Sequence, residues 1–176
     1  MELSLYPYIV NDGIPTLKDS QLLRIFQKME EDGTLDTVFY ESKITFPTFL
    51  AMFKNPDNAL WVITDAGIPV GIVWLNNMRE RSAQIHFCLF KEVWGEKSVE
   101  VGKWVVKELI HLKDRDGYFL FDVITGLTPT TIKAAKWIFL TGMKKVGEVP
   151  NACWIDDQTT SVPGVVSYVT RDFYKE

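Results

Sequence analysis

The chain has 176 residues, a net charge of -4 and a pI of about 5.3, and 47% of its residues are hydrophobic. That length fits one domain, residues 1–176, that can bury a core without disulfides or metal. The apolar share excludes extended disorder, and the acidic balance excludes a general nucleic-acid-binding surface. The two cysteines and two histidines are scattered, which gives neither a disulfide framework nor metal-ligand spacing.

Leu3 to Val10 is β-prone and ends at the turn signal Asn11-Asp12-Gly13. The start of the chain lacks a basic segment ahead of an apolar one, so it is not read as a secretory signal. Leu17 to Asp32 carries Leu22, Leu23, Phe26 and Met29 at helical spacing, with Gly33 as its stop. A second helix is predicted over Pro47 to Lys54 and a strand over Ala59 to Thr64. Asp65-Ala66-Gly67 then predicts a hairpin into Pro69–Leu75. Ala83 to Phe90, AQIHFCLF, reads as a third central strand, and Glu96 to Lys113 as a long amphipathic helix. Tyr118 to Ile124 is predicted as a strand, Thr130 to Leu140 as a helix, and Met143–Val149 and Val162–Thr170 as the last two strands. No apolar run reaches the ~20 residues a bilayer span needs, and the expected location is the cytoplasm. The order β-α-α-β-β-β-α-β-α-β-β predicts an α/β (α+β) fold, with helices packed on a central mixed, twisted sheet.

The stretch that carries chemistry is the strand AQIHFCLF, a turn at Trp94-Gly95 and the helix after it. A helix N-terminus presents free N–H groups and the positive end of its dipole to phosphate, and glycine lets the backbone approach closely. A strand that splays from its neighbour could bond an extended, amide-bearing chain along its edge.

The order of elements resembles the GNAT superfamily of N-acetyltransferases over nearly the whole chain. AQIHFCLF is similar to that family's fourth strand. Val93-Trp94-Gly95 resembles the aromatic-Trp-Gly approach to its pyrophosphate loop. AKWIFLTGMKKVGEVP resembles its C-terminal helix–turn–strand signature, with Met143 where phenylalanine is usual. The resemblance implies a sheet of six or seven strands and acetyl-CoA, or another acyl-CoA, as cofactor. It places pyrophosphate on Trp94, Gly95, Glu96, Lys97, Ser98 and Val99. It runs the pantetheine arm along Cys88, Leu89 and Phe90, with Thr131 at the start of the last helix. It implies an amine-bearing small molecule or peptide as acceptor, and leaves homodimerisation open.

The sequence departs from the family where catalysis is concerned. Lys97 and Val99 fall at later small positions of the loop; the Lys97 ammonium could substitute by charge pairing. Gln84 stands where a glutamate base is common and cannot take a proton. The position that often holds an acidic tyrosine is Ile138. His86 is the candidate substitute base, expected to titrate near 6.5; its plain alternative is a hydrogen-bonded sheet histidine. Asp122, which interrupts an apolar strand, is either an acid or a loop-bonding carboxylate, and Trp154 is a candidate wall of the acceptor groove. Glu80 reads as a solvated turn residue. Two rivals stay beside the enzyme: a catalytically degraded GNAT-fold binding module, and a structural or assembly protein, for example of a phage.

Overall fold

A computed structural model describes residues 1–174. The chain begins with strand β1 (Leu3–Pro7) and a small hairpin of β2 (Val10–Asn11) and β3 (Ile14–Pro15). Helices α1 (Asp19–Glu31), α2 (Leu35–Val38) and α3 (Phe46–Lys54) follow, then strands β4 (Ala59–Asp65), β5 (Ile68–Arg79) and β6 (Ser82–Leu89). A single 3-10 turn, Lys91–Val93, leads into α4 (Glu96–Ile110), and the rest is β7 (Val123–Pro129), α5 (Ala134–Leu140), β8 (Lys144–Ile155) and β9 (Thr160–Thr170).

Seven strands form one sheet in the order β1-β4-β5-β6-β7-β9-β8. The β4–β5 hairpin forms where it was expected. Ala66 and Gly67 both take positive φ, 49° and 80°, as a turn matching the strands' right-handed twist requires. Every neighbouring pair is antiparallel except β6 and β7. That parallel pair is joined only at Ser82–Val123, Ala83–Ile124 and Gln84–Thr125. Beyond it the two strands part.

Side chains alternate across the sheet and feed two cores. On one face Val73, Leu75, Ile85 and Ile124 pack beneath α4 and α5. On the other, Ile72, Trp74, Cys88 and Phe90 pack beneath α1 and α3 with Phe26, Phe49 and Phe53. The aromatic share of the sequence is spent mainly on this second layer, where Phe49 meets Phe53 edge-on at 4.7 Å.

Several predicted boundaries move: β1 ends at Pro7, β5 runs on to Arg79, α4 ends at Ile110 and β8 runs on to Ile155, and two larger shifts flank the cleft. The β-prone run Tyr118–Ile124 is not the strand; β7 starts at Val123 and runs to Pro129. Tyr118 and Leu120 are exposed, and Phe119 makes one isolated bridge to Lys113. Pairing with β6 and β9 selects the later residues, and tertiary partners outweigh strand propensity. For the same reason α5 starts at Ala134 and not Thr130: Pro129 is still paired with β9, and the Thr130 N–H donates to the Pro163 carbonyl at 3.0 Å. The four-residue α2 has no counterpart in the sequence reading. No helix among the described residues is long and apolar enough to cross a membrane.

Candidate active site

The parting of β6 from β7 creates the main cleft. On β6, the Phe90 N–H donates to Val70 of β5 at 2.9 Å. By two-residue alternation Cys88 and His86 also turn their backbone groups to β5, while Leu89, Phe87 and Ile85 turn theirs to the gap. On β7 the same alternation turns Leu127 and Pro129 to the gap. Pro129 has no N–H to leave unpaired there. Past Gln84–Thr125, the edge groups of Phe87, Leu89 and Leu127 therefore have no strand partner across the opening. Of Cys88, Leu89 and Phe90, only Leu89 presents backbone to the cleft. The side chains of Cys88 and Phe90 are buried in the aromatic layer, and burial pushes the Cys88 thiol up to about 11.

The turn before α4 is built as the sequence suggested. Gly95 caps the helix at φ 83° and ψ -141°, a conformation that disfavours L side chains, with open space where a Cβ would lie. The N–H groups of Gly95, Glu96 and Lys97 have no acceptor among the described residues. Lys97 and Glu96 are exposed and Val99 is half-buried. Ser98 is buried and structural: its hydroxyl donates to the Gly95 carbonyl at 2.6 Å and accepts from the Trp137 indole at 3.0 Å. Trp94 is 48% exposed, and its indole donates to the Leu89 carbonyl at 2.9 Å, so it closes the outer end of the β6 edge. Behind the turn, Lys28 bridges Asp32 (2.8 Å) and Glu92 (2.6 Å), and Asp32 accepts the Lys91 N–H at 2.8 Å. These contacts pin the end of α1 to the approach of α4.

The cleft encloses about 100 Å³ and has two sides. The α5 side is Trp137, Ile138, Ile132 and Phe87; Trp137 meets Phe87 edge-on at 5.4 Å. Gly102 of α4 makes this possible, since a Cβ there would lie 2.7 Å from the Trp137 ring and 2.5 Å from Thr141. Thr131 is exposed in the turn beside Ile132.

The α2 side is Thr37, Val38, Tyr40 and His86. His86 stacks on Trp74 at 4.8 Å and 8°, and its Nε2 lies 2.9 Å from Asn76 Oδ1. Trp74 stacks in turn on Phe39. Burial holds His86 down to about 4, so it is neutral at physiological pH and cannot titrate near 6.5. With Nε2–H donating to Asn76, Nδ1 keeps its lone pair. His86 is a hydrogen-bonded sheet histidine, and its residue lines the cleft. Tyr40 is kept protonated by burial, with Cys153 and Glu41 adding to the effect, and its hydroxyl lies 3.9 Å from Cys153 Sγ.

Gln84 sits at the closed base of the gap and accepts a hydrogen bond from Asn77 at 2.9 Å. Asp122 is held by Arg81 (2.6 and 2.9 Å) and by Arg171, which keep its carboxyl well below the usual range; this is a structural ion cluster and not an acid. Trp154 is exposed on β8 and does not line the cleft. The sequence reading missed Tyr40, Asn76 and Trp137. An aromatic within a short unassigned segment was the only available signal for Tyr40. Among the described residues no group of three or more His, Cys, Asp and Glu could hold a metal.

No family model and no curated protein matches the sequence. Solved structures match the fold. The chain is similar to spermidine N-acetyltransferase from Vibrio cholerae, in complex with CoA and spermine, at a TM-score of 0.71 and 14% identity, covering 98% of each chain. It is similar to ribosomal-protein-S5-alanine acetyltransferase from Vibrio fischeri at 0.65 and 14%, covering 91% of this chain and 93% of that one. A dodecameric form of the Vibrio cholerae enzyme matches at 0.66 and 15%, covering 98% and 96%. The chain has the GNAT acetyltransferase fold, carried by a divergent sequence.

Proposed function

We propose that the protein transfers an acetyl or other acyl group from an acyl-CoA to an amine. The observation that carries this reading is the junction of two backbone features. The parted β6 edge leads to a helix N-terminus whose first N–H groups are free, at a glycine of positive φ. The residues fit the cofactor. Phe87 and Leu127 offer unpaired edge groups to pantetheine and Leu89 offers its N–H, its carbonyl being held by the Trp94 indole, while Gly95, Glu96 and Lys97 offer N–H groups to pyrophosphate. Lys97 adds a charge where the family usually has a small residue. Thr131 is close enough in sequence to the cleft wall to meet the cofactor's far end.

Bound acyl-CoA supplies a thioester, an activated acyl donor. The chain's own contribution is positioning: the narrow gap holds amine and thioester side by side, which can supply most of a rate enhancement without a side-chain acid. His86 contributes as a neutral hydrogen-bond acceptor for the amine, while Gln84 is spent on Asn77 and stays out of the chemistry. Two of the similar structures support the amine acceptor: one is a spermidine N-acetyltransferase bound to CoA and spermine, the other a ribosomal-protein-S5-alanine acetyltransferase. The dodecameric neighbour supports looking for self-association, with a homodimer as the smallest assembly.

Calorimetric titration with acetyl-CoA, CoA and ATP tests the reading. Saturable CoA binding without ATP binding, with thiol release on adding an amine, is the expected result. Binding without any turnover would make the chain a holding module, and absence of CoA binding would overturn the reading.

A further inference from the structure

The acceptor side of the cleft carries information about which amine fits. Its wall is Thr37, Val38, Tyr40 and His86 on the α2 side, meeting Leu127 and Pro129 from β7. No Asp or Glu lines the cleft among the described residues. The acidic side chains beside this wall, Asp36 and Glu41, are both exposed. Glu41 acts on Tyr40 only through space. An alkylammonium entering such a gap loses water and finds no counter-ion, which is costly. The nucleophile must in any case be the neutral amine. Asn76 and Trp74 hold His86 in place and burial keeps its ring neutral, so no group in the wall keeps a proton taken from an ammonium.

From the uncharged, aromatic-rich and narrow wall we infer that the acceptor is a weakly basic aromatic amine, one that arrives already neutral and lies flat against Tyr40 on the α2 side. This rests on the acyl-transfer reading above and narrows its substrate class. The amine nitrogen attacks the thioester carbonyl carbon and a C–N bond forms. The C–S bond breaks with its electron pair on sulfur, the nitrogen gives up one proton, and the thiolate takes one up as free CoA thiol. Nδ1 of His86 is the acceptor that orients the amine N–H during the approach.

Three probes separate charge from shape: aniline (flat, weakly basic), benzylamine (flat, cationic) and spermidine (polycationic). Each is titrated calorimetrically into the CoA-loaded protein and assayed for thiol release with acetyl-CoA. The inference expects aniline to bind and turn over about a hundredfold better than either cation. It also expects Thr37→Glu, an exposed position that lines the cleft, to improve benzylamine relative to aniline about tenfold. Equal or better use of benzylamine or spermidine by the parent protein overturns it. So does CoA binding with no response to aniline, a result that leaves the cofactor site standing. Failure to bind CoA at all removes the acyl-transfer reading, and the acceptor class with it.

Discussion

On the α4 side of the cleft, what a ligand meets is backbone: the open edge of β6 and the free N–H groups after Gly95. On the α2 side it meets side chains: Tyr40, Val38 and a neutral His86. The two sides therefore constrain sequence differently. A backbone site needs only the strand to part and a glycine to turn, so it tolerates wide change in side chains. A side-chain site is rewritten by a few substitutions. Here the α2 side holds a neutral His86, and Gln84 at the base of the gap is bonded to Asn77.

The comparison breaks most visibly at His86. Its ring is held neutral with a value near 4 against 6.5 when unfolded. The unfolded chain then binds more protons between those values, so stability present above pH 6.5 is lost as pH falls toward 4. His86→Gln is expected to remove about 2–3 kcal/mol of that pH dependence, measured by denaturant unfolding at pH 7 and pH 4.5. An unchanged pH dependence in the variant would mean the ring is not desolvated. In the assay, the account expects no rate step near pH 6.5 from this residue.

The backbone side is probed at Gly95. Valine there is strained by about 1–3 kcal/mol in the native turn, so Gly95→Val should weaken CoA binding about 10- to 100-fold by calorimetry. Unaltered affinity in a folded variant would move the pyrophosphate elsewhere. Gly102→Ala sharpens the link between the two helices. Its methyl meets Thr141 and the Trp137 ring, and the expected loss is about 1–3 kcal/mol in thermal unfolding; a neutral result would show that α5 yields freely. The smallest effect is expected at Lys97, which is exposed and screened. Lys97→Ala should weaken CoA about tenfold at low salt, with the difference shrinking as salt is added. Equal affinities at low salt would return Lys97 to the solvated surface.

The elements around this site were legible to different degrees. The β4–β5 hairpin, α1, α3 and α4 announce themselves through periodicity and glycine turns, which are local. Gly95 was legible as the turn into α4 because its neighbours, Trp94 before and a helix after, are also local. β7 was misplaced because Tyr118–Ile124 has the stronger strand propensity while the pairing partners Ser82–Gln84 and Thr170–Gly164 lie far off in sequence. Asp122 stayed open between an acid and a loop-bonding carboxylate because its two arginines are Arg81 and Arg171, contacts that spacing cannot reveal. The neutrality of His86 depends on burial, with Trp74 stacked on its ring from across a strand pair, and Tyr40 enters the cleft through an irregular segment tied to the β8–β9 turn by Asp156. Nothing local marks either one.

The central claim is that backbone groups of the parted strand and the α4 turn hold the cofactor. Amide hydrogen exchange with and without saturating CoA tests it most directly. The account predicts new protection at Phe87, Leu89 and Leu127 and at Gly95 to Lys97, with His86 and Cys88 amides already protected by β5 in both states. Protection appearing elsewhere, with these amides unchanged at saturation, would contradict it.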